Sequence, residues 1–117
     1  NGVARSVFED HAANLRKVYR ARRDAMLAAL LEHMPEGVTW TKPEGGMFVW
    51  VTLPKTMNAG DLLRHALETQ KLAFVPGQAF FADRSGTNTL RLAFSLADEP
   101  KIADGIQRLG AAIRDLA

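Results

Sequence analysis

The strongest constraint on the fold comes from residues 88–95, Asn-Thr-Leu-Arg-Leu-Ala-Phe-Ser, because they alternate without interruption. Leu90, Leu92 and Phe94 share one parity, and Arg91 falls on the other. A period of two predicts a β-strand with one face in the core and the other face outside it. We therefore expect a sheet that is covered on one side and open to solvent or a partner on the other.

Arg91 is a candidate anion receptor on that second face. Its neighbours of the same parity, Thr89, Ala93 and Ser95, are too small to cover a guanidinium. The guanidinium stays protonated at physiological pH, and its planar fork matches a carboxylate or phosphate in two parallel hydrogen bonds. From the spacing alone, a simply solvated face is the commoner explanation, since charged residues are usually exposed.

Length and composition limit the class of protein. A chain of 117 residues makes a single domain over residues 1–117, and 47% apolar with 24% charged residues is ordinary for a soluble globular domain. The absence of cysteine excludes disulfides and cysteine-ligated zinc. No apolar run approaches the ~20 residues of a membrane span, and no signal-peptide pattern is present, so we expect a cytoplasmic protein without a membrane partner. A net charge of +2 gives no support for a nucleic-acid partner.

Helical periodicity predicts three helices. They cover residues 8–34, residues from Asn58 or Asp61 to about 70, and residues from the N-cap Asp98 onward. Residues 1–6 are predicted to be a frayed entrance to the first helix, which ends at Pro35. Because that helix is long for a small domain, we expect its first half to dock against something outside this chain.

Strand character is found in residues 38–41, 47–53, 72–75 and 88–95. Residues 47–53 are continuously apolar, which predicts a central strand buried on both faces and paired with residues 38–41 in a hairpin. Residues 76–81 are predicted to form an apolar turn, and residues 82–87 a polar surface loop. The order α-β-β-α-β-β-α predicts an α+β fold, a two-layer sandwich with helices packed on one face of a small mixed sheet.

The sequence offers little chemistry of its own. Its serines lack the glycine frame of a nucleophile elbow, and its three histidines are too scattered to pair as metal ligands, so neither a catalytic residue nor a metal site is predicted. A Schiff-base lysine must be desolvated or lie beside another cation, whereas all five lysines have polar neighbours. The basic residues between Arg16 and Arg23 are predicted to form a solvated helix face, with a polyanion-binding stripe as the alternative.

Four segments, taken together, resemble a known family. They are Tyr19–Met26 (YRARRDAM), Pro43–Trp50 (PEGGMFVW), Val75–Phe81 (VPGQAFF) and Asn88–Ser95 (NTLRLAFS). In this order they resemble the C-terminal small domain of fold type I, class I/II pyridoxal-phosphate-dependent aminotransferases, and most closely the 2-aminoadipate and multi-substrate branch. The resemblance covers nearly the whole chain.

The resemblance implies that Arg91 binds the α-carboxylate of the substrate in a two-pronged salt bridge and that Gly45 lies at the substrate entrance. It implies an amino acid and a 2-oxo acid as substrates, pyridoxal 5'-phosphate as cofactor, and a homodimer for the full-length protein. The cofactor-binding large domain, which supplies the Schiff-base lysine, is absent from this chain. We therefore expect the chain alone to bind no cofactor and to be inactive. The effector-sensing domain of a transcription regulator is the alternative, because the same module occurs there.

Overall fold

The computed structural model describes residues 2–80, 86–95 and 97–117. Its elements are α1 (Gly2–His33), β1 (Thr39–Trp40), β2 (Phe48–Thr52), α2 (Ala59–Gln70), β3 (Val75–Pro76), a 3-10 turn (Gly77–Phe80), β4 (Thr89–Ala93) and α3 (Glu99–Leu116). The predicted α+β class and the order α-β-β-α-β-β-α are confirmed. Most of the predicted loop at residues 82–87 lies outside the described residues.

The four strands form one sheet in the order β1-β2-β4-β3, and every neighbouring pair is antiparallel. The prediction of a mixed sheet is therefore wrong. β2 and β3 run in the same direction, as two strands joined by a crossover helix do, and α2 is that helix. However, β4 inserts between them, so the two strands that run in the same direction never become neighbours.

The core lies between one face of the sheet and the three helices. Val49 and Val51 of β2 and Leu90 of β4 are completely buried there. They pack with residues of all three helices, among them Leu30 of α1 and Leu109 of α3. The prediction that β2 is buried on both faces is wrong, because Phe48, on the opposite face of the sheet, has 40% of its surface exposed.

The helix ends follow their capping residues. The side chain of Asn58 accepts a hydrogen bond from the amide of Asp61, and that of Asp98 accepts one from the amide of Lys101, both at 3.1 Å. These contacts confirm Asp98 as an N-cap and identify Asn58, rather than Asp61, as the N-cap of α2. α1 begins at Gly2, so the prediction of a frayed segment over residues 1–6 is wrong. β3 lies at Val75–Pro76, later in the chain than the predicted residues 72–75.

The two halves of α1 differ in their packing. Met26, Ala29 and Leu30 in the second half belong to the core, whereas residues 14–18 in the first half are all exposed. The apolar stripe of the helix therefore continues beyond the body on which the second half packs. In the part of the chain that the structure describes, no helix has both the length and the apolar character that crossing a membrane requires.

Candidate functional site

Arg91 lies on the face of the sheet opposite the core, as the alternation predicts. It pairs with Trp50 of β2 on one side and with Val75 of β3 on the other. Directly opposed residues of an antiparallel pair point to the same face, so these three side chains share the open face, while Leu90 points into the core. The strand therefore presents a half-buried guanidinium from the middle of a rigid sheet.

The ring of Phe48 supports the guanidinium of Arg91. The central carbon of the guanidinium lies 3.9 Å from the ring centroid, a cation–π contact. An arginine that stacks on a ring still has its N–H groups in the guanidinium plane, so stacking and a fork of in-plane hydrogen bonds are compatible. Sequence reasoning missed Phe48, since it placed that residue in a strand buried on both faces.

The beginning of β4 is fixed by backbone contacts from three other segments. Leu53 donates to Asn88 O at 2.7 Å, the side-chain amide of Asn88 donates to Leu53 O at 2.8 Å, and Ala59 donates to Thr87 O at 2.7 Å. Gly77, at the start of the 3-10 turn, packs so closely that a Cβ built there would lie 1.8 Å from Thr89 Oγ1. These contacts set the position of the strand that carries Arg91.

A cavity of about 590 Å³ lies beside Arg91. Its other walls come mainly from residues 72–75 and from the face of α3 that includes Ile102 and Ile106, so its lining is largely apolar. The basic residues among those that line it are Arg91 and Lys101. A cavity of this kind, apolar with a few charged groups, is typical of small-molecule sites.

Gly45 lines a different cavity from Arg91. Of the two glycines in its turn, Gly46 has the left-handed backbone conformation, with φ +79°, whereas Gly45 does not. A Cβ at Gly45 would also meet no atom within 4 Å. Nothing in the described chain therefore requires glycine at position 45, and the structure does not bring Gly45 into one pocket with Arg91.

Part of the basic cluster on α1 has a structural role. Arg22 donates to Ser95 O at 2.9 Å, and Arg23 donates to Pro43 O at 3.1 Å. Arg22 therefore binds the backbone just after β4, and Arg23 binds the backbone that precedes β2. The prediction of a solvated face is therefore wrong for these two half-buried residues. Arg16, Lys17 and Arg20 are exposed, as that prediction requires.

The lysines of the chain lie on its surface. All five lysines, Lys17, Lys42, Lys55, Lys71 and Lys101, are exposed. None of them has the desolvated setting that a Schiff-base lysine needs. Within residues 2–80, 86–95 and 97–117, no group of three or more acidic or histidine side chains could hold a metal ion.

The fold and the motifs define a class of protein, the small α+β domain that accompanies a cofactor-binding domain in aminotransferases. Comparison with known families agrees, because the aminotransferase class I and II profile matches residues 4–109. The chain belongs to this family.

Individual relatives support the assignment. The chain is 50% identical to the aromatic-amino-acid aminotransferase 1 of Thermococcus litoralis and 48% identical to the 2-aminoadipate transaminase of Thermus thermophilus, over 92% and 93% of its length. It covers 26% and 27% of those two proteins. The crystal structure of the α-aminoadipate aminotransferase LysN from Thermus thermophilus superposes with a TM-score of 0.90 at 45% identity, over 98% of this chain and 29% of that one. The chain thus spans little more than a quarter of the length of the proteins it matches.

A more distant relative belongs to another functional class. It is an uncharacterized HTH-type transcriptional regulator, YdfD of Bacillus subtilis, which is 31% identical over 94% of this chain. The chain covers 22% of that protein. The same domain therefore occurs in proteins that are named as enzymes and in one that is named as a regulator.

Proposed function

We propose that this chain is the small domain of a pyridoxal-phosphate-dependent aminotransferase, in which Arg91 binds the α-carboxylate of the amino-acid substrate. The observation that carries the proposal is the position of Arg91 in the sheet, on the open face and stacked on Phe48. A guanidinium held in this way is pre-organised, so little side-chain freedom is lost when it forms a two-pronged salt bridge. The amino group is then passed to a 2-oxo acid.

The test is the replacement of Arg91 by Gln in the full-length protein. Removing one partner of a charge-assisted pair costs about 2–5 kcal/mol, which corresponds to a loss of about 30- to 4,000-fold in kcat/KM. The control is Arg64→Gln, because Arg64 is an exposed arginine of α2 that pairs with Asp61. Wild-type kinetics in the Arg91 variant would remove the carboxylate-binding role, whereas a loss in both variants would point to a general charge effect.

We assign to the rest of the full-length protein the chemistry that this chain lacks. A large domain outside this chain would hold the cofactor, which would supply the electron sink for the reaction. The exposure of all five lysines supports the expectation that the chain alone is inactive. Borohydride reduction of the chain with pyridoxal phosphate, followed by mass spectrometry, tests this expectation, and a stoichiometric adduct at one lysine together with transaminase turnover would contradict it.

The exposed segment 14–18 of α1 is the proposed docking surface for that large domain. Leu15 and Val18, which continue the apolar stripe of the helix, are 40% and 42% exposed. Leu15→Glu should therefore lower the melting temperature of the full-length protein and leave that of the present chain unchanged. An equal effect in the two contexts would mean that this surface carries no domain contact. Domain closure over the substrate, dimerisation of the full-length protein and a cytoplasmic location belong to the same proposal.

The alternative is an effector-sensing domain of a transcription regulator, which the relationship to YdfD favours. An effector amino acid would use the same carboxylate receptor. The residues that precede this domain in the parent protein decide between them. A winged-helix segment ahead of the large domain supports the regulator, and its absence supports the enzyme.

A further inference from the structure

Two neighbouring arginines of α1 hold the backbone at one end of the sheet. Arg22 donates from a terminal nitrogen to Ser95 O at 2.9 Å. Arg23 donates from a terminal nitrogen to Pro43 O at 3.1 Å and to Glu44 O at 3.5 Å. We call this pair the arginine clamp. Both side chains are half-buried, and their partners are 73, 20 and 21 residues away in the sequence, so only the folded chain forms the clamp.

The two arms of the arginine clamp meet the same end of the β2–β4 pair. Because these strands are antiparallel, Phe48, the first residue of β2, lies opposite Ala93, the last residue of β4. The amide of Phe94 donates to Met47 O at 3.1 Å, so the pairing continues one residue further. One arm binds the chain just beyond this end of β4, and the other binds it just before β2. The clamp therefore fixes both strands at this end.

This end of the pair also supports the guanidinium of Arg91. Phe48, whose ring centroid lies 3.9 Å from that guanidinium, is the residue of β2 nearest to the clamp. Gly45 and Gly46 separate Phe48 from the backbone that Arg23 holds, and glycines would let that backbone move if it were released. A shift of either strand at the clamp would change the contact between the ring and the guanidinium.

We propose that Arg22 and Arg23 are positioning residues of the carboxylate receptor. Neither is assigned a contact with the substrate. They act through Arg91, because they hold β4 and the ring of Phe48 in the arrangement that directs its guanidinium. The inference rests on the proposed function, since it concerns how the same receptor is placed. Such placement matters for rate, because an error of about 1 Å that arises far from the reacting atoms can cost about 100-fold.

The arginine clamp also connects the receptor to the proposed contact with the large domain. Arg22 follows Val18, the last residue of the exposed segment 14–18, by about one helical turn. The helix is continuous from Gly2 to His33, so one rigid element carries both the docking surface and the clamp. The clamp therefore sets the position of Arg91 relative to the domain that would hold the cofactor.

The first test uses NMR on the present chain and does not depend on catalysis. The ring current of Phe48 shifts the signal of the Arg91 Nε–H group, because the ring faces the guanidinium. We expect Arg22→Met and Arg23→Met each to move this signal toward its position in Phe48→Leu, which lacks the ring. The control Arg108→Met removes another arginine-to-carbonyl bond of 2.9 Å, between α3 and the end of α2, and should leave the signal unchanged.

The second test measures the kinetics of the full-length protein with an α-amino acid and with the amine that lacks its carboxylate. Arg22→Met should lower kcat/KM for the amino acid by about 10- to 100-fold. It should leave the value for the amine unchanged, since the amine has no group for Arg91 to bind. In the Arg91→Gln background, Arg22→Met should have no further effect, because a positioning residue acts only through the group that it places. Arg108→Met should behave like the wild type with both substrates.

The outcomes separate this inference from the proposed function. Wild-type kinetics for Arg91→Gln would remove the receptor itself, and the inference with it. A loss in Arg91→Gln, together with wild-type kinetics or an unchanged Arg91 signal in the clamp variants, would overturn the inference and leave the receptor in place. Equal losses for the amino acid and the amine, or additive effects of Arg22→Met and Arg91→Gln, would mean that the clamp only stabilises the fold, and would also overturn the inference.

Discussion

Gly77→Ala tests the contact that positions the strand carrying Arg91. A Cβ at residue 77 would lie 1.8 Å from Oγ1 and 2.9 Å from Cβ of Thr89, and 3.1 Å from its carbonyl oxygen. Rotating the Thr89 side chain cannot relieve the clash, because the last two atoms do not move with its hydroxyl group. The rotation would also break the hydrogen bond that Thr89 Oγ1 donates to Gly86 O at 2.8 Å. The turn and β4 must therefore move apart.

The decrease in the free energy of unfolding of Gly77→Ala can be worked out from these losses. Overpacking costs about 1–3 kcal/mol and the hydrogen bond about 1 kcal/mol, while the reduced entropy of the unfolded chain returns about 0.4–1 kcal/mol. We expect the free energy of unfolding to fall by about 2–3 kcal/mol, measured by urea denaturation followed by circular dichroism. For a chain of this length, the melting temperature should fall by about 8–12 °C.

A second variant shows whether the clash with Thr89 is the cause. Thr89→Ala removes the hydroxyl group. The free energy of unfolding of the double variant Gly77→Ala/Thr89→Ala should therefore fall by less than the sum of the decreases in the two single variants. An additive double variant would mean that the cost of Gly77→Ala arises elsewhere. A Gly77→Ala chain as stable as the wild type would refute the close approach of the turn to β4, and with it this account of how Arg91 is placed.

Three further predictions test other parts of the molecule. Gly110→Ala should lower the free energy of unfolding by about 2–3 kcal/mol, because its Cβ would lie 2.6 Å from the carbonyl oxygen of His33. Gly105→Ala in the same helix has 3.8 Å of clearance and should raise the free energy of unfolding by about 0.5–1 kcal/mol. Equal urea midpoints for these two variants would contradict this packing of α1 on α3. Asn58→Ala should cost about 1 kcal/mol through loss of the N-cap, and an unchanged midpoint would mean that the cap contributes nothing. Gly45→Ala should leave the stability of the chain nearly unchanged. In the proposed full-length aminotransferase, in which Gly45 is expected at the substrate entrance, the same change should lower kcat/KM by about tenfold or more, and an unchanged kcat/KM would remove Gly45 from the entrance.

Local signals predicted much of the fold. The apolar repeat of α3 places Ile102, Ile106 and Leu109 on one face, and all three are buried. The N-cap Asp98, and Asn58 as one of two candidates with Asp61, were predictable because an N-cap side chain bonds to an amide only three residues away. The alternation of β4 correctly placed Arg91 opposite Leu90, since the two faces of a strand differ by one residue.

Features that depend on distant parts of the chain were not predictable in the same way. Strand order decides whether parallel strands become neighbours, and no local pattern shows that β4 inserts between β2 and β3. The apolar run of β2 could not show that Phe48 faces outward, because that depends on whether a layer covers the second face. The tolerance of a glycine for a side chain was not predictable either. The clearance at Gly45 and the close contact at Gly77 depend on residues that are neighbours in space and not in sequence.

The proposed carboxylate-binding role of Arg91 is tested most directly by comparing two substrates in the proposed full-length aminotransferase. One is a reactive α-amino acid, and the other is the amine with the same side chain but no carboxylate. The rate of amino-group transfer to the cofactor is followed by absorbance for the wild type and for Arg91→Gln. We predict that kcat/KM for the amino acid falls by about 30- to 4,000-fold, while the low value for the amine stays the same. An equal fall for both substrates, or a fall for neither, would contradict it.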